Sequence, residues 1–247
     1  MELVLYAVWC FLVAVAGGLV GLVLGNLRLP ATLLVASNAA AGTGANLVAS
    51  AVAAATASVA HIRARRVDWQ LFAWMAPPSI AGGLLGGYVS GVLPKRALLA
   101  VISVVLFHAA FELFFRPPAP SPDESGRIAR GPAVITGAVV GFVGGVVGLI
   151  LGSLRMPAML RYMRVPARRA AATNVTVGFL VGVSGAIGHL PSEPPDWTVA
   201  AVGAAASIPG ALLGSRLTGR LDEPQLIRAI AWILLVVAVS TAVQAVA

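Results

Sequence analysis

The sequence predicts an all-α, polytopic transmembrane protein with about eight membrane segments in two homologous repeats, and with helices interrupted by Gly and Pro. Of its 247 residues, 59% are hydrophobic and only 11% are charged, whereas soluble domains carry about 25% charged residues. A soluble fold of this length could not bury so much apolar surface. Many of its apolar runs also reach the roughly 20 residues that a helix needs to cross a bilayer.

The predicted membrane segments fall into two groups of four. A Pro-rich, charged stretch at 116–131 separates the groups and is typical of an extended linker. We therefore divide the chain into a first transmembrane repeat at 1–115, this linker, and a second transmembrane repeat at 132–247. The eight segments cover residues 3–24, 31–60, 70–92, 97–115, 132–151, 166–188, 197–219 and 226–246.

The two halves repeat the same motifs in the same order. Residues 17–33 align with 144–160, and 12 of the 17 positions are identical. A His followed by Asp-Trp at a fixed spacing also occurs once in each half, at 61–69 and at 189–197. Secondary transporters are commonly built from such duplications, and their substrate sites lie at interrupted helices where the repeats meet. The matching interruptions predicted here are Gly25 to Pro30 and Gly152 to Pro157.

The relative orientation of the repeats is open from the sequence. If all eight segments cross the membrane, the repeats are parallel, and 11 of the 17 Lys and Arg residues lie opposite the termini. Positively charged loops favour the cytoplasm, so this arrangement places the termini outside. The loop at 61–68 is basic, however, while its counterpart at 189–196 is acidic, as expected for inverted repeats with one re-entrant or split segment per half.

The repeated motifs resemble those of the sulfite exporter TauE/SafE family of anion permeases over nearly the whole chain. The resemblance implies transport of sulfite, a sulfonate or a related sulfur-containing anion. Two departures are the reduction of the family's triple glycine to one glycine, and the replacement of a serine by Gly44 and Asn174. The motifs that carry the resemblance are Gly21…Gly25…Pro30, Ala41-Gly42-Thr43, His61, Val67-Asp68-Trp69 and Gly82-Gly83…Gly86, followed by Gly148…Gly152…Pro157, Ala171-Ala172-Thr173-Asn174, His189, Asp196-Trp197 and Gly210…Gly214.

Arg28 and Arg155 are the first candidates for contact with an anion. A guanidinium stays charged and presents a planar fork of donors that matches oxyanions. A break after the glycine would also expose backbone N–H groups at the next helix start, with Pro30 and Pro157 in its first turn. The alternative is that both are loop arginines whose side chains extend to lipid headgroups.

Neutral donors inside the apolar runs form a second group of candidates, because they can bind an anion without titrating. The alternative role of such groups is to form hydrogen bonds between helices. These candidates are Asn26, Thr43, Asn46, Ser153, Thr173, Asn174 and Thr176.

His61, His189 and Glu112 are the candidates for proton coupling. Histidine titrates near neutral pH, and a carboxylate within a membrane segment is a functional candidate. The alternatives are interfacial histidines and an ion pair of Glu112 with Arg116.

Several classes of function are excluded on sequence grounds. The only lysine is Lys95, which follows a proline, so there is no Walker A motif, and no nucleophile elbow or His/Cys metal cluster is present. We expect no enzyme, cofactor or metal, and no nucleic-acid binding, because the basic residues lie in short gaps between apolar runs.

The expected function is a permease for a small oxoanion, using alternating access at the repeat interface of a multi-pass protein of the bacterial inner membrane. Its expected partners are the anion, the lipid bilayer, a proton or sodium as coupling ion, and a second copy in a homodimer. An anion channel-like conduit and a non-transporting membrane subunit are the alternatives.

Overall fold

The structure, a computed structural model, describes residues 1–89, 95–118, 129–147, 150–189 and 194–246, without the side chains of Lys95 and 185–189. Most of the predicted linker, 119–128, lies outside these residues. Within them the chain is all-α, with no β-strand. The helices are α1 (Glu2–Val20), α2 (Gly25–Val35), α3 (Ala39–Arg63), α4 (Trp69–Tyr88), α5 (Lys95–Phe115), α6 (Arg130–Val147), α7 (Gly152–Arg161), α8 (Ala167–His189), α9 (Trp197–Thr218) and α10 (Glu223–Val246).

Six of these helices are long and apolar enough to cross a membrane, namely α1, α3, α5, α6, α9 and α10. The predicted all-helical, multi-pass architecture is therefore confirmed. The expected division into eight segments differs from the structure, because the predicted segment 31–60 contains parts of two helices. Non-helical backbone at 36–38 separates α2 from α3, and the short helix α7 likewise precedes α8.

Helix ends are fixed by local sequence. Gly21 ends α1 with a φ of +68°, a left-handed conformation suited to glycine, and a Cβ there would clash with the backbone of Ala171. Asn38, Asp68 and Asp196 cap α3, α4 and α9, each accepting a backbone N–H with its side-chain oxygen. Asp68 and Asp196 are the aspartates of the repeated Asp-Trp motif, so the motif marks a helix start in each half.

Close glycine contacts show that three pairs of helices run parallel. Along α1 and α9, Gly203 lies against Tyr6, Gly210 against Phe11 and Gly214 against Val15, so the numbering rises together. Along α4 and α6, the same rise links Gly137 with Met75, Gly141 with Ser79 and Gly145 with Gly83. Helix α3 also runs parallel to α9, since Gly44 contacts Pro195 and Gly203 contacts Ala49. Small residues permit these backbone approaches.

Helix α2 folds back against α1. The Trp9 indole Nε1 donates to the Leu27 carbonyl at 3.1 Å, and the Thr32 and Tyr6 hydroxyls are 3.3 Å apart. Later residues of α2 thus contact earlier residues of α1, so the two helices are antiparallel. Helix α2 therefore returns the chain toward the end of the molecule that holds the N-terminus. Helices α3, α4 and α5 then cross in alternating directions, and α6 starts at the opposite end from α1.

Positive charge is concentrated at one end of the bundle, which we call the basic end. It contains the loops after α3, α5, α7 and α9, whereas Lys95 and Arg96 lie near the other end, which holds both termini. Loop residues contact helix ends there: Arg66 Nη1 donates to Ser215 O of α9 at 2.7 Å, and Arg168 Nη2 of α8 donates to Leu221 O at 2.7 Å. Twelve described arginines lie at or near the basic end: Arg63, Arg65, Arg66, Arg116, Arg130, Arg161, Arg164, Arg168, Arg169, Arg216, Arg220 and Arg228.

Candidate functional site

The first half of the site is built where α1 gives way to α2. Residues 21–24 are not helical, and α2 begins at Gly25, which places Arg28 in its first turn. The Arg28 side chain is only 2% exposed, and its Nη1 donates to Ser50 Oγ of α3 at 3.1 Å. The Cys10 thiol and the Tyr6 hydroxyl also lie near this guanidinium. Arg28 is thus a buried cation among neutral groups.

The second half of the site repeats this arrangement at α7. Helix α7 begins at Gly152, and Arg155 in its first turn is 1% exposed. Its Nη1 lies 3.5 Å from Ser79 Oγ of α4, at the limit of a hydrogen bond, and its Nη2 lies beside Gly178 of α8. Gly178 follows Asn174 by four residues, as Ser50 follows Asn46 in the first half, so the α3 hydroxyl that Arg28 uses has no counterpart on α8.

Neither buried arginine is neutralised by a carboxylate in the part of the chain that the structure describes, where the ion pairs all involve Glu112. Arg28 Nε and Arg155 Nε also have no hydrogen-bond partner there. A charge taken out of water without a partner is costly, and arginine within a membrane is rare without a functional reason. The structure therefore rules out the expectation that Arg28 and Arg155 extend to lipid headgroups.

Two asparagines fix the starts of the short helices. Asn46 Nδ2 donates to the Gly25 carbonyl at 3.1 Å, and Asn174 Nδ2 donates to the Gly152 carbonyl at 3.1 Å. Asn174 also donates to the Gly21 carbonyl at 2.9 Å, which joins the break before α2 to the start of α7. The Oδ1 atoms of both asparagines are unpaired among the described residues. The two half-sites are therefore connected through Asn174.

Glycine at both helix starts permits this packing. A Cβ on Gly25 would lie 2.8 Å from Ser50 Oγ, and a Cβ on Gly152 would lie 3.1 Å from Asn174 Nδ2. These separations are shorter than ordinary carbon contacts, so a larger residue would push Ser50 or Asn174 out of place. The two glycines retained from the reduced glycine motif thus lie where the short helices meet α3 and α8.

A cavity of about 10 Å³ runs beside Arg28, with room for about one water. Arg28 is its only charged lining residue, and the remaining lining is apolar. This volume is too small for an oxoanion, so an anion does not fit beside Arg28 in this conformation. The lining residues are Val13, Ala14, Gly17, Gly18, Leu22, Val23, Leu24, Arg28, Ala53, Ala54, Ala57, Val175 and Ala211.

The breaks lie earlier than the sequence suggested. Pro30 and Pro157 were expected in the first helical turn, but each is the sixth residue of its helix. Pro30 has no N–H to donate to the Asn26 carbonyl, one turn earlier. That carbonyl accepts instead from Gln244 Nε2 of α10 at 3.1 Å. The proline therefore frees an acceptor that joins α2 to α10.

The other predicted donors are dispersed. The Asn26 amide lies 3.4 Å from the Thr241 hydroxyl, and Thr173 Oγ1 accepts the Asp68 backbone N–H at 2.9 Å. Thr43 and Thr176 donate to carbonyls of their own helices at 2.8 Å. Ser153 is buried beside Gly152 at the start of α7. Of the predicted neutral donors, Asn46 and Asn174 thus have the clearest place at the two helix starts.

The candidates for proton coupling lie apart from Arg28 and Arg155. His61 is fully buried within the bundle, in the last turn of α3. His189 ends α8, and its side chain is outside the described residues. The Glu112 carboxylate lies 3.2 Å from Arg161 Nη2 and 3.8 Å from His108 Nε2. The ion pair therefore joins α5 to α7, which sequence spacing alone could not identify.

Sequence reasoning missed three polar neighbours of the site, namely Ser50, Ser79 and Thr32. Ser50 follows Asn46 by four residues and so shares its helix face, a signal that could have identified it. Ser79 and Arg155 are 76 residues apart in sequence, and nothing in the local pattern predicts their contact. The Thr32 hydroxyl donates to the Arg28 carbonyl at 3.1 Å.

Comparison with known proteins agrees with the family resemblance of the sequence motifs. Residues 6–241 match the family described as Sulfite exporter TauE/SafE. The Probable membrane transporter protein YunE of Bacillus subtilis (strain 168) is 22% identical, over 96% of this chain and 94% of that protein. The Probable membrane transporter protein YjnA of the same organism is 26% identical, over 89% and 91%.

A third relative, the Probable membrane transporter protein y4hK of Sinorhizobium fredii, is 31% identical over 69% of this chain and 70% of that protein. No solved structure matches the chain.

Proposed function

Because the chain belongs to the sulfite exporter TauE/SafE family, we propose that this multi-pass membrane protein is a secondary transporter for a small oxoanion, of the sulfite or sulfonate class. One observation carries the proposal: two buried arginines, which have no carboxylate partner among the described residues, each lie in the first turn of a short helix inside the bundle. Guanidinium forks and helix N-termini both favour oxyanions. A dehydrated anion would supply the missing counter-charge.

In this proposal the two halves act as inverted repeats of five helices each. The halves are residues 1–115 and 132–247, joined by the linker 116–131. Parallel packing of α1 with α9 and of α4 with α6 supports this, because each pair joins the first helix of one half to the fourth helix of the other. With an odd number of helices in the first half, α6 starts at the opposite end from α1. The basic end then faces the cytoplasm, as the positive-inside rule requires.

Transport proceeds by alternating access at the seam between the halves. The cavity beside Arg28 has room for about one water, so an anion enters only if helices separate. Asn174 crosses this seam through its bond to Gly21. Movement of one half on the other would open the Arg28 and Arg155 half-sites toward opposite ends, since they belong to repeats of opposite direction.

The test is sulfite uptake into proteoliposomes by Arg28→Gln and Arg155→Gln, with Arg220→Gln, an exposed arginine of the basic end, as the matched control. We expect each buried variant to lose at least about 30-fold in uptake at low sulfite concentration, because truncating a buried charged partner costs roughly 2–5 kcal/mol. The control should transport normally. Wild-type uptake by both buried variants would refute the site, and flux that never saturates would identify a channel.

A further inference from the structure

A second group of unpaired polar atoms lies near the basic end, outside the arginine half-sites. Ser58 and His61 are one turn apart on α3, so they share a helix face, and they are only 3% and 0% exposed. Ser58 Oγ and both ring nitrogens of His61 have no hydrogen-bond partner among the residues described. Buried polar atoms are almost always paired, and each unpaired one costs about 1–3 kcal/mol. Three such atoms together indicate a missing ligand.

The surroundings of this cluster are electropositive. The guanidinium of Arg66 lies close enough to act on His61 electrostatically, and Arg66 Nη1 is held by the Ser215 carbonyl of α9 at 2.7 Å. Arg168 contributes further positive charge beside Arg66. The one nearby carboxylate in sequence, Asp68, accepts the Leu71 backbone N–H at 3.0 Å as the cap of α4. A hydroxyl, an imidazole and a guanidinium in this arrangement match an anion.

The cluster lies at the basic-end side of the cavity that contains Arg28. Gly18 and Ala57 line that cavity. Ala57 directly precedes Ser58, and the Gly18 backbone lies near the His61 ring, without a well-aligned hydrogen bond to it. The cluster therefore adjoins the Arg28 cavity, on the side of α3 that faces α1.

We propose that Ser58, His61 and Arg66 form a second binding station for the transported oxoanion, between Arg28 and the basic end. This inference rests on the proposed transport function and adds a specific route. In this conformation Ser58 Oγ and the two His61 ring nitrogens have no hydrogen-bond partner among the described residues, whereas Arg66 is held by the Ser215 carbonyl. During transport the Ser58 hydroxyl and the His61 imidazole donate hydrogen bonds to the anion, and Arg66 balances its charge. The anion therefore has hydrogen-bond donors between Arg28 and the basic end.

The experiment compares Ser58→Ala and His61→Leu with the wild type and with Thr56→Val. Thr56 is a matched control because its hydroxyl, on the same helix, is already bonded to the Val52 carbonyl at 2.8 Å. Sulfite-dependent thermal stabilisation and the KM for sulfite uptake are measured for each. Losing a hydrogen bond to a charged group should raise the KM by about 10-fold to 100-fold in both station variants.

Stability without sulfite separates this role from a structural one. Because Ser58 and His61 have unpaired polar atoms, Ser58→Ala and His61→Leu should unfold at or above the wild-type temperature, while their stabilisation by sulfite falls. If sulfite stabilises all four proteins equally, the cluster binds only water and the inference is wrong. If sulfite fails to stabilise even the wild type and Arg28→Gln changes nothing, the proposed function itself fails. Ser58→Ala alone decides the question if His61→Leu does not fold.

Discussion

Replacing the two equivalent asparagines by alanine should have unequal effects on stability. Asn46 bonds one backbone carbonyl, that of Gly25, whereas Asn174 bonds two, those of Gly152 and Gly21. Both side chains are buried, so Asn46→Ala and Asn174→Ala leave similar cavities and each removes one unpaired Oδ1. The difference between the variants therefore isolates the second carbonyl of Asn174, which joins the two halves of the chain.

The magnitude follows from the cost of an unpaired buried carbonyl, about 1–3 kcal/mol. For a chain of this size, 1 kcal/mol corresponds to about 2–4 °C in Tm, so Asn174→Ala should melt roughly 2–12 °C below Asn46→Ala. The Gly21 carbonyl lies in the non-helical segment before α2, where no helical partner can replace the lost donor.

The assay is thermal unfolding of the purified proteins in one detergent, followed by intrinsic tryptophan fluorescence at a fixed scan rate. Thr176→Val is the control, because its hydroxyl lies on α8 near Asn174 but bonds only to its own helix, at Ala172. Equal melting temperatures for Asn46→Ala and Asn174→Ala, or a lower one for Asn46→Ala, would refute the idea that Asn174 joins the halves.

Two further predictions concern the ends of the bundle. Backbone N–H groups of Val199 and Ser37 hold the pKa of the exposed Asp196 carboxyl below its usual value. The ionised carboxylate therefore stabilises the fold above a pH of about 4, and this contribution is lost as the pH falls through the folded pKa. Thermal melts should therefore show Asp196→Asn below the wild type at pH 7, with the gap narrowing as the pH is lowered toward 3; a gap that does not change with pH would contradict this. The second prediction concerns orientation, with the basic end in the cytoplasm. A membrane-impermeant maleimide should label Ser37→Cys on intact spheroplasts, but should label Ala64→Cys only after the membrane is permeabilised. The wild type, whose Cys10 is buried, is the unlabelled control. Labelling in the opposite order would reverse the orientation.

The sequence predicted the membrane class, and it identified Arg28 and Arg155 as candidates, but it did not predict the geometry around them. Apolar runs require a bilayer whatever the details of packing, and Arg28 and Arg155 were identified because charge is rare in such runs. The exact break could not be located, because Gly21, Gly25 and Pro30 are all helix-breaking residues. Only Gly21 needs a positive φ, and only tertiary contact with Ala171 excludes a side chain there.

The direction of the second half was also beyond the sequence for a physical reason. Helix α2 has only 11 residues, too few to be recognised as a membrane segment by length. Without α2 each half appears to have four segments, and four crossings make the repeats parallel. The opposite charges of the loops at 61–68 and 189–196 were the one sequence signal for inversion, and the contacts of α2 with Trp9 and Tyr6 supply the reversal that this signal requires.

Buried charge and a narrow cavity together constrain how the protein can work. Arg28 and Arg155 remain in the membrane whether or not the anion is bound, so the empty site has uncompensated positive charge and the occupied site is closer to neutral. Occupancy should therefore ease the separation of helices around the seam, because a neutralised pair costs less in the membrane than an isolated charge. The seam is also narrow beside Arg28, with room there for about one water. In the proposed carrier these two features would make the loaded form move more readily, whereas an open anion pore would leave the guanidinium groups hydrated at all times.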